Sequence, residues 1–410
     1  MKRKTPASLS LQVGVITFSR LIFSIIYRMM YPFLTTFQRG LGVDLPAITL
    51  AITSESLAGI MGPILAPIAD RRGRKISMLL GMLVFVLGVG LVVVSPGYPT
   101  FFAALVLSAT GSQIFIPAAQ AYLSDQVPYE KRGRVIGITE LSWALAFILG
   151  VPAMGILIEK GILPPLKNLK GANWAAPFPV LLLAGLLVLV LIFWFIPSDR
   201  PAHKVTGNIL ANYRQVLTSP AALAGLGLGF AISLANENVN MMFGVWLEDS
   251  FGLQLAALGT ASAVIGLSEL GGSGLSAWLV DRFGKERSIR LGLILNCVAA
   301  IFIFFFGGQL WGAFIGLALF YLTFEFLLVS SLPLITEILP SSVRATMIAL
   351  NLALISLGRA AGALIAPQLY KSGFLTNVIA AIGLNLLAIL ILRWVKPQPQ
   401  PSATLTEPQE

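Results

Sequence analysis

The hydrophobic positions of this chain fall into long, nearly unbroken stretches separated by short polar segments. A stretch of roughly 20 apolar residues is long enough to cross the hydrocarbon core of a bilayer as an α-helix. The sequence therefore predicts an all-α polytopic membrane protein with twelve spans, numbered one to twelve along the chain. They lie near residues 11–36, 46–68, 76–95, 99–123, 133–158, 176–196, 220–247, 256–279, 288–308, 310–336, 343–369 and 374–395.

The composition agrees with this pattern. Of the 410 residues, 56% are hydrophobic and only 11% are charged, whereas soluble domains carry about 25% charged residues. The first span directly follows MKRKTPASLS and is too long for the apolar core of a signal peptide, so we interpret it as a membrane helix.

The net charge of +10 comes mainly from lysines and arginines in alternate connecting segments. Because such residues concentrate on the cytoplasmic side, their placement predicts a plasma-membrane protein with both termini in the cytoplasm. The basic excess therefore reflects topology, and we expect no nucleic-acid partner.

Cysteine and histidine are too scarce for disulfide or metal chemistry. Cys297 is the one cysteine, and His203, the one histidine, lies in a polar connection, so no intrachain disulfide and no metal site are expected. No nucleotide-binding loop or nucleophile–base pair is found either. We therefore expect no enzyme activity and no cofactor.

The two halves of the chain repeat with an offset of 211–212 residues. The segment 70–75 (DRRGRK) after span two matches 281–286 (DRFGKE) after span eight, and 28–31 (RMMY) matches 240–243 (NMMF). The repeat predicts a bundle over 1–196, a cytoplasmic linker over 197–219, a second bundle over 220–396, and a disordered cytoplasmic tail over 397–410.

The segment 66–75 (APIADRRGRK) resembles the signature of the major facilitator superfamily, Gly-x-x-x-Asp-Arg-x-Gly-Arg-Lys, and departs from it only at the leading glycine. The resemblance covers essentially the whole chain. It implies two pseudo-symmetric six-helix bundles that hold a substrate between them and expose it to alternate sides of the membrane. It also implies that spans one, four, seven and ten line the cavity and that spans three, six, nine and twelve face lipid. We expect a monomer.

Charged side chains inside the apolar spans are the candidate functional residues, because such positions are costly unless they face a cavity or a partner. Arg20 and Arg28 lie in span one, and a polar cluster over 236–240 (NENVN) lies in span seven. The predicted substrate-binding residues are Arg20, Ser24, Tyr27, Arg28, Tyr31, Gln113, Gln120, Asn236, Asn240 and Tyr321. The alternative interpretation is that each arginine is permanently paired with a glutamate and has a structural role.

Four buried acids are candidates for proton coupling, because a desolvated carboxyl favours its neutral form and can load and release a proton. They are Glu237, Glu325, Glu269 and Glu55. By resemblance, the loop motifs act as a gate that holds the cytoplasmic side shut through contacts across the two bundles. The gating candidates are Asp70, Arg71, Gly73, Arg74, Asp125, Arg132, Asp281, Arg282 and Gly284.

The span-five segment 146–155 only partly resembles the motif of proton-coupled drug exporters, and the arginine that those exporters carry in span four is missing here. The leading hypothesis is proton-coupled export of small amphipathic organic compounds. The alternative is a carrier of organic anions or anionic lipids held by the arginines of span one. A third hypothesis is a receptor or scaffold that does not transport.

Overall fold

The computed structural model describes residues 8–61, 73–160, 172–198, 209–340 and 343–396. Sixteen α-helices and no strand are found in these ranges. The helices are α1 Leu9–Arg28, α2 Leu34–Leu41, α3 Leu45–Ala58, α4 Arg74–Val94, α5 Tyr98–Gln126, α6 Tyr129–Leu145, α7 Val151–Lys160, α8 Pro177–Phe195, α9 Ile209–Leu217, α10 Pro220–Asn240, α11 Phe243–Phe251, α12 Leu255–Phe283, α13 Lys285–Phe306, α14 Leu310–Glu337, α15 Arg344–Tyr370 and α16 Phe374–Leu392.

Short polar side chains begin several of these helices. Ser8, Asp44 and Ser219 each accept a hydrogen bond from a backbone N–H in the first turn of α1, α3 and α10. Such caps satisfy donors that have no partner within the helix. The ends of these spans are therefore encoded locally in the sequence.

Spans one and seven are broken at equivalent points. α1 ends at Arg28 and α10 ends at Asn240, each followed by a short turn and a second helix, α2 or α11. Both second helices end at a glycine with left-handed backbone, Gly42 and Gly252, where a side chain would be strained. Pro32 lies four residues after the end of α1 and cannot donate a backbone hydrogen bond to the carbonyl of Arg28. Span seven breaks at the equivalent position without a proline. We therefore attribute both breaks to the structure that the two halves share.

Ten helices among the described residues are long and apolar enough to cross a membrane, and the number rises to twelve if each of two bent helix pairs forms one span. The first six spans pack into one bundle and the last six into another, as the repeat predicts. Spans three, six, nine and twelve carry rows of exposed apolar side chains, among them Leu87, Leu183, Phe305 and Leu386. The all-α, two-bundle fold is thus confirmed.

The two bundles meet along α3 and α15, along α7 and α12, and where α2 approaches α11. At the last contact, a Cβ on Gly244 would lie 2.5 Å from the carbonyl oxygen of Tyr31, so this approach requires glycine. Glu248 adds an ion pair with Arg39 and a hydrogen bond from Thr35. We call this end of the molecule, formed by residues 29–45, 152–160 and 241–259, the closed end.

The loop motifs lie at the opposite end of the molecule. Arg134, Ile138, Asp281 and Arg282 are exposed there, and a Cβ added to Gly133 would meet nothing within 4 Å. The predicted linker 197–219 contains α9, and its residues 199–208 lie outside the described residues, as does the predicted tail 397–410.

Candidate functional site: buried charges between the bundles

Arg28 and Glu269 form an ion pair that joins the two bundles. The guanidinium at the end of α1 donates two hydrogen bonds, of 2.6 and 2.5 Å, to the two carboxylate oxygens of Glu269 on α12. Both side chains are buried, exposing 3% and 5% of their surface. Arg28 also donates to the carbonyl of Trp143 and lies 3.5 Å from the ring centre of Phe147. In this conformation Arg28 is fully engaged with protein groups.

Arg20 forms the corresponding pair within the first bundle. Its guanidinium donates two 2.6 Å hydrogen bonds to Glu140 on α6 and a third to Thr139. Gln120, one of the predicted substrate-binding residues, also donates to Glu140, at 3.2 Å. Since the Glu140 side chain is half exposed, this pair is more open to its surroundings than the Arg28–Glu269 pair.

Almost all the predicted substrate-binding and proton-coupling residues line two neighbouring cavities. The first, which we call the first-bundle cavity, has a volume of about 210 Å³ and lies between α1, α3, α5, α6 and α15. Its walls include the predicted residues Arg20, Ser24, Tyr27, Glu55 and Gln113.

The second cavity, which we call the interbundle cavity, has a volume of about 30 Å³. It shares Tyr27, Trp143 and Arg359 with the first. Its walls include the predicted residues Arg28, Tyr31, Asn236, Glu237, Asn240, Glu269, Tyr321 and Glu325. The structure thus brings residues from both halves of the sequence to one centre.

The polar cluster of span seven faces two directions. Asn236, Glu237 and Asn240 line the interbundle cavity, and Asn240 donates to Glu237 at 3.3 Å while accepting a 2.6 Å hydrogen bond from Tyr321. Asn238 instead points to span twelve, where it exchanges hydrogen bonds with Asn377. Asn238 therefore acts as a link between helices, whereas its neighbours face the cavity.

The acids of the site differ in their partners. Glu325 accepts a 2.9 Å hydrogen bond from Ser273 on α12. Glu237 is 1% exposed, and its Oε1 atom has no hydrogen-bond partner among the described residues. The cationic groups that line the same cavity as Glu237 are Arg359 and Arg28. Neither Glu237, Glu325 nor Glu55 forms an ion pair with a described residue.

The loop motifs make contacts inside each bundle in this conformation. Arg74 pairs with Asp125, and at the repeat-equivalent positions Lys285 pairs with Glu337. The side chain of Arg132 donates to the carbonyl of Val127, and the Arg282 guanidinium lies 4.5 Å from the ring centre of Trp278. The role of these residues as a gate therefore stays a prediction.

The remaining gating candidates are two glycines that precede helices, one exposed aspartate and two residues outside the described ranges. Gly73 and Gly284 precede α4 and α13 with φ of 89° and 80°, a backbone conformation that is essentially restricted to glycine. Asp281 is exposed and makes no ion pair with a described residue. Asp70 and Arg71 lie outside the described residues.

Sequence reasoning missed several residues of the cavity walls, namely Ser56, Ser108, Trp143 and Ser356, and did not place Arg359 among the binding residues. Trp143 lies one helical turn after Glu140, so helical spacing was the available signal. Span five also contains a π-helical segment, Ala146–Gly150, just before Pro152. Such segments are rare and often occur at functional sites, and this one packs against α1 and α12.

Comparison with known proteins agrees with this architecture. The sequence model of the Major Facilitator Superfamily matches residues 16–327 and 226–410. The chain is 24% identical over 385 residues to a multi-drug resistance efflux pump PmrA homolog of Lactococcus lactis, covering 90% of each chain. It is 23% identical over 382 residues to the sialic acid transporter NanX of Escherichia coli, covering 89% of each.

Among solved structures, a D-xylose–proton symporter superimposes with a TM-score of 0.75 at 16% sequence identity, over 95% of this chain and 98% of that one. At this identity the likeness concerns the fold. The family match, the full-length relatives and the two-bundle fold lead to one conclusion: the chain belongs to the Major Facilitator Superfamily and is a multi-pass membrane transporter.

Proposed function

We propose that the protein is a proton-coupled secondary transporter that exports small amphipathic organic compounds by alternating access. It acts as a monomer in the plasma membrane with both termini in the cytoplasm, and it uses the proton gradient without a cofactor. In this orientation the closed end faces outward.

The observation that carries proton coupling is the surplus of carboxyl groups in the two cavities. Once Arg20 is assigned to Glu140, four acids remain, Glu55, Glu237, Glu269 and Glu325, with two guanidiniums, those of Arg28 and Arg359. An ionised carboxylate without a cation is costly in a buried site. The surplus acids therefore favour binding protons while the cavity holds no other cation.

Export of amphipathic compounds is supported by the chemistry of the walls and by one relative. Phe23, Tyr27, Ile116 and Trp143 provide apolar and aromatic surface beside the acids, which suits a molecule with a polar and an apolar part. The similarity to an efflux pump homolog extends over 90% of the chain.

Reconstitution in liposomes with an imposed pH gradient tests this proposal, with the cationic dye ethidium as probe. We expect dye movement driven by the gradient. Glu237→Gln should lose this movement but retain exchange of dye between the two sides without a gradient, because the variant mimics the protonated acid. Glu159→Gln, at an exposed glutamate at the end of α7, is the matched control and should behave as the native protein. Gradient-driven movement that survives in both Glu237→Gln and Glu325→Gln would overturn the proton assignment.

A carrier of organic anions is the second candidate, and the likeness to a sialic acid transporter favours it. The sequence suggests that the arginines of span one hold the anion. The structure disfavours this role, because Arg20 and Arg28 both make two hydrogen bonds to a glutamate. Arg359 is the better candidate, since it lines both cavities and forms no ion pair with a described residue. Flux of a labelled carboxylate that is lost in Arg359→Gln and kept in the surface variant Arg290→Gln would support this candidate over export of amphipathic compounds.

A further inference from the structure

Three buried polar atoms around the first-bundle cavity have no hydrogen-bond partner among the described residues. They are Oε2 of Glu55 and Oγ of Ser56 on α3, and Oγ of Ser108 on α5. The three residues are 5%, 7% and 2% exposed, and all line the cavity. Since buried polar atoms are nearly always paired, three unpaired ones around a single cavity indicate a site for a polar ligand.

Other hydroxyl groups on the same helices have hydrogen-bond partners, so the lack of a partner is specific to the hydroxyls at the cavity. Thr53 and Ser54 on α3 donate to the backbone carbonyls of Thr49 and Leu50, one turn earlier. Thr110 on α5 does the same with Val106. This backbone contact is the usual solution for hydroxyls in membrane helices. Ser56 and Ser108 differ from these neighbours in facing the cavity unpaired.

The charge of the occupant follows from the groups around Glu55. The charged residue that interacts electrostatically with Glu55 is another acid, Glu237. The two arginines of the cavity walls have other neighbours. Arg20 is held by Glu140, and Arg359 also lines the interbundle cavity beside Glu237, Tyr27 and Tyr31. Glu55 is thus a buried carboxyl without a cation of its own, and a positively charged hydrogen-bond donor would complement it.

We propose that the first-bundle cavity binds the protonated amine of the transported compound, with Glu55, Ser56 and Ser108 as its hydrogen-bonding partners. The apolar part of the compound lies against Phe23, Tyr27 and Ile116 on the facing walls. A volume of about 210 Å³ suits a small molecule such as an arylalkylamine. This inference rests on the proposed function and narrows its substrate class to small amines.

Binding of 2-phenylethylamine and of the uncharged 2-phenylethanol to the purified full-length protein tests the inference. The two probes have the same shape and differ in charge, and calorimetry at neutral pH needs no proton gradient. We expect the amine to bind at least about tenfold more tightly than the alcohol, the ratio that corresponds to one charged hydrogen bond. Glu55→Gln should remove this difference. The double variant Ser56→Ala/Ser108→Ala should weaken amine binding by roughly tenfold.

Ser54→Ala is the matched control, because Ser54 is adjacent to Glu55 but bonds to its own helix; it should leave amine binding unchanged. Thermal unfolding of each variant shows whether it folds, and Glu55→Asp provides a second, charge-conserving variant that should retain a preference for the amine. Equal affinity for the two probes, or an undiminished preference in a folded Glu55→Gln variant, would overturn the inference. Intact amine binding without gradient-driven transport would contradict the proposed function and leave this site standing.

Discussion

Arg28 in the first bundle and Glu269 in the second are joined by two hydrogen bonds of 2.6 and 2.5 Å in the buried centre of the molecule. The two residues are 241 positions apart in the sequence. Their pairing places opposite charges across the interface that rearranges in the proposed alternating-access cycle. The carboxyl of Glu269 is thereby distinguished from Glu55 and Glu237, which have no ion-pair partner among the described residues.

Removing one member of this pair should be strongly destabilising. Glu269→Gln leaves a buried guanidinium without its counter-charge, and we expect a loss of about 3–5 kcal/mol in the free energy of unfolding. The double variant Arg28→Met/Glu269→Leu removes both charges and should lose less. Unfolding in detergent, followed by tryptophan fluorescence, measures both effects. Glu140→Gln is the comparison, since Glu140 is half exposed and its loss should cost less. Equal costs at the two glutamates would argue against the importance of burial.

The closed end should open and close during transport, while the loop-motif pairs stay intact. In a Cys297→Ala background, the pair Thr35→Cys/Glu248→Cys spans the two bundles at the closed end. The pair Lys285→Cys/Glu337→Cys lies within the second bundle. We expect the rate of cross-linking of the first pair to change when substrate is added and that of the second pair to stay constant. A substrate effect on the second pair alone would contradict rigid-body alternation of the bundles.

Glycine at the start of span nine is required by its backbone. Gly284 has φ of 80° and ψ of 154°, and nothing lies within 4 Å of a Cβ there, so Gly284→Ala tests strain without a clash. We expect a loss of about 1–3 kcal/mol in stability. Gly133→Ala provides the contrast, because Gly133 lies inside α6 and is also open on all sides. There alanine should stabilise the helix by about 0.5–1 kcal/mol. Thermal unfolding of the two variants measures whether each substitution lowers or raises stability.

Asn236 and Asn238 of span seven should separate stability from transport. Asn238→Ala removes hydrogen bonds to Asn377 and should lower stability by about 1–3 kcal/mol, with flux per folded molecule preserved. Asn236→Ala affects a cavity-facing amide whose Oδ1 is unpaired, so it should change flux with little effect on stability. Unfolding and liposome flux, measured on the same preparations, test this. A change of flux in Asn238→Ala together with a loss of stability in Asn236→Ala would contradict the orientation of the cluster.

The sequence by itself determined the membrane class, the number of spans and the repeat. These follow from local physical rules, since apolar length decides whether a helix crosses a bilayer and repeated motifs require repeated structure. It also identified nearly all the charged residues of the centre, because charge inside an apolar span is costly wherever it occurs. Arg28, Glu237 and Glu325 were found in this way.

Tertiary structure decided which charges meet. Helical spacing places Arg28, Glu269 and Glu140 on their helices, but it does not give the rotation and separation of α1, α6 and α12 that pair Arg28 with Glu269 and Arg20 with Glu140. The unpaired state of Glu55, Ser56 and Ser108 is likewise invisible in the sequence. A serine next to a glutamate reads the same in the sequence whether its hydroxyl bonds to its own helix or faces a cavity. Only the packing of α3 against α5 and α15 distinguishes the two cases.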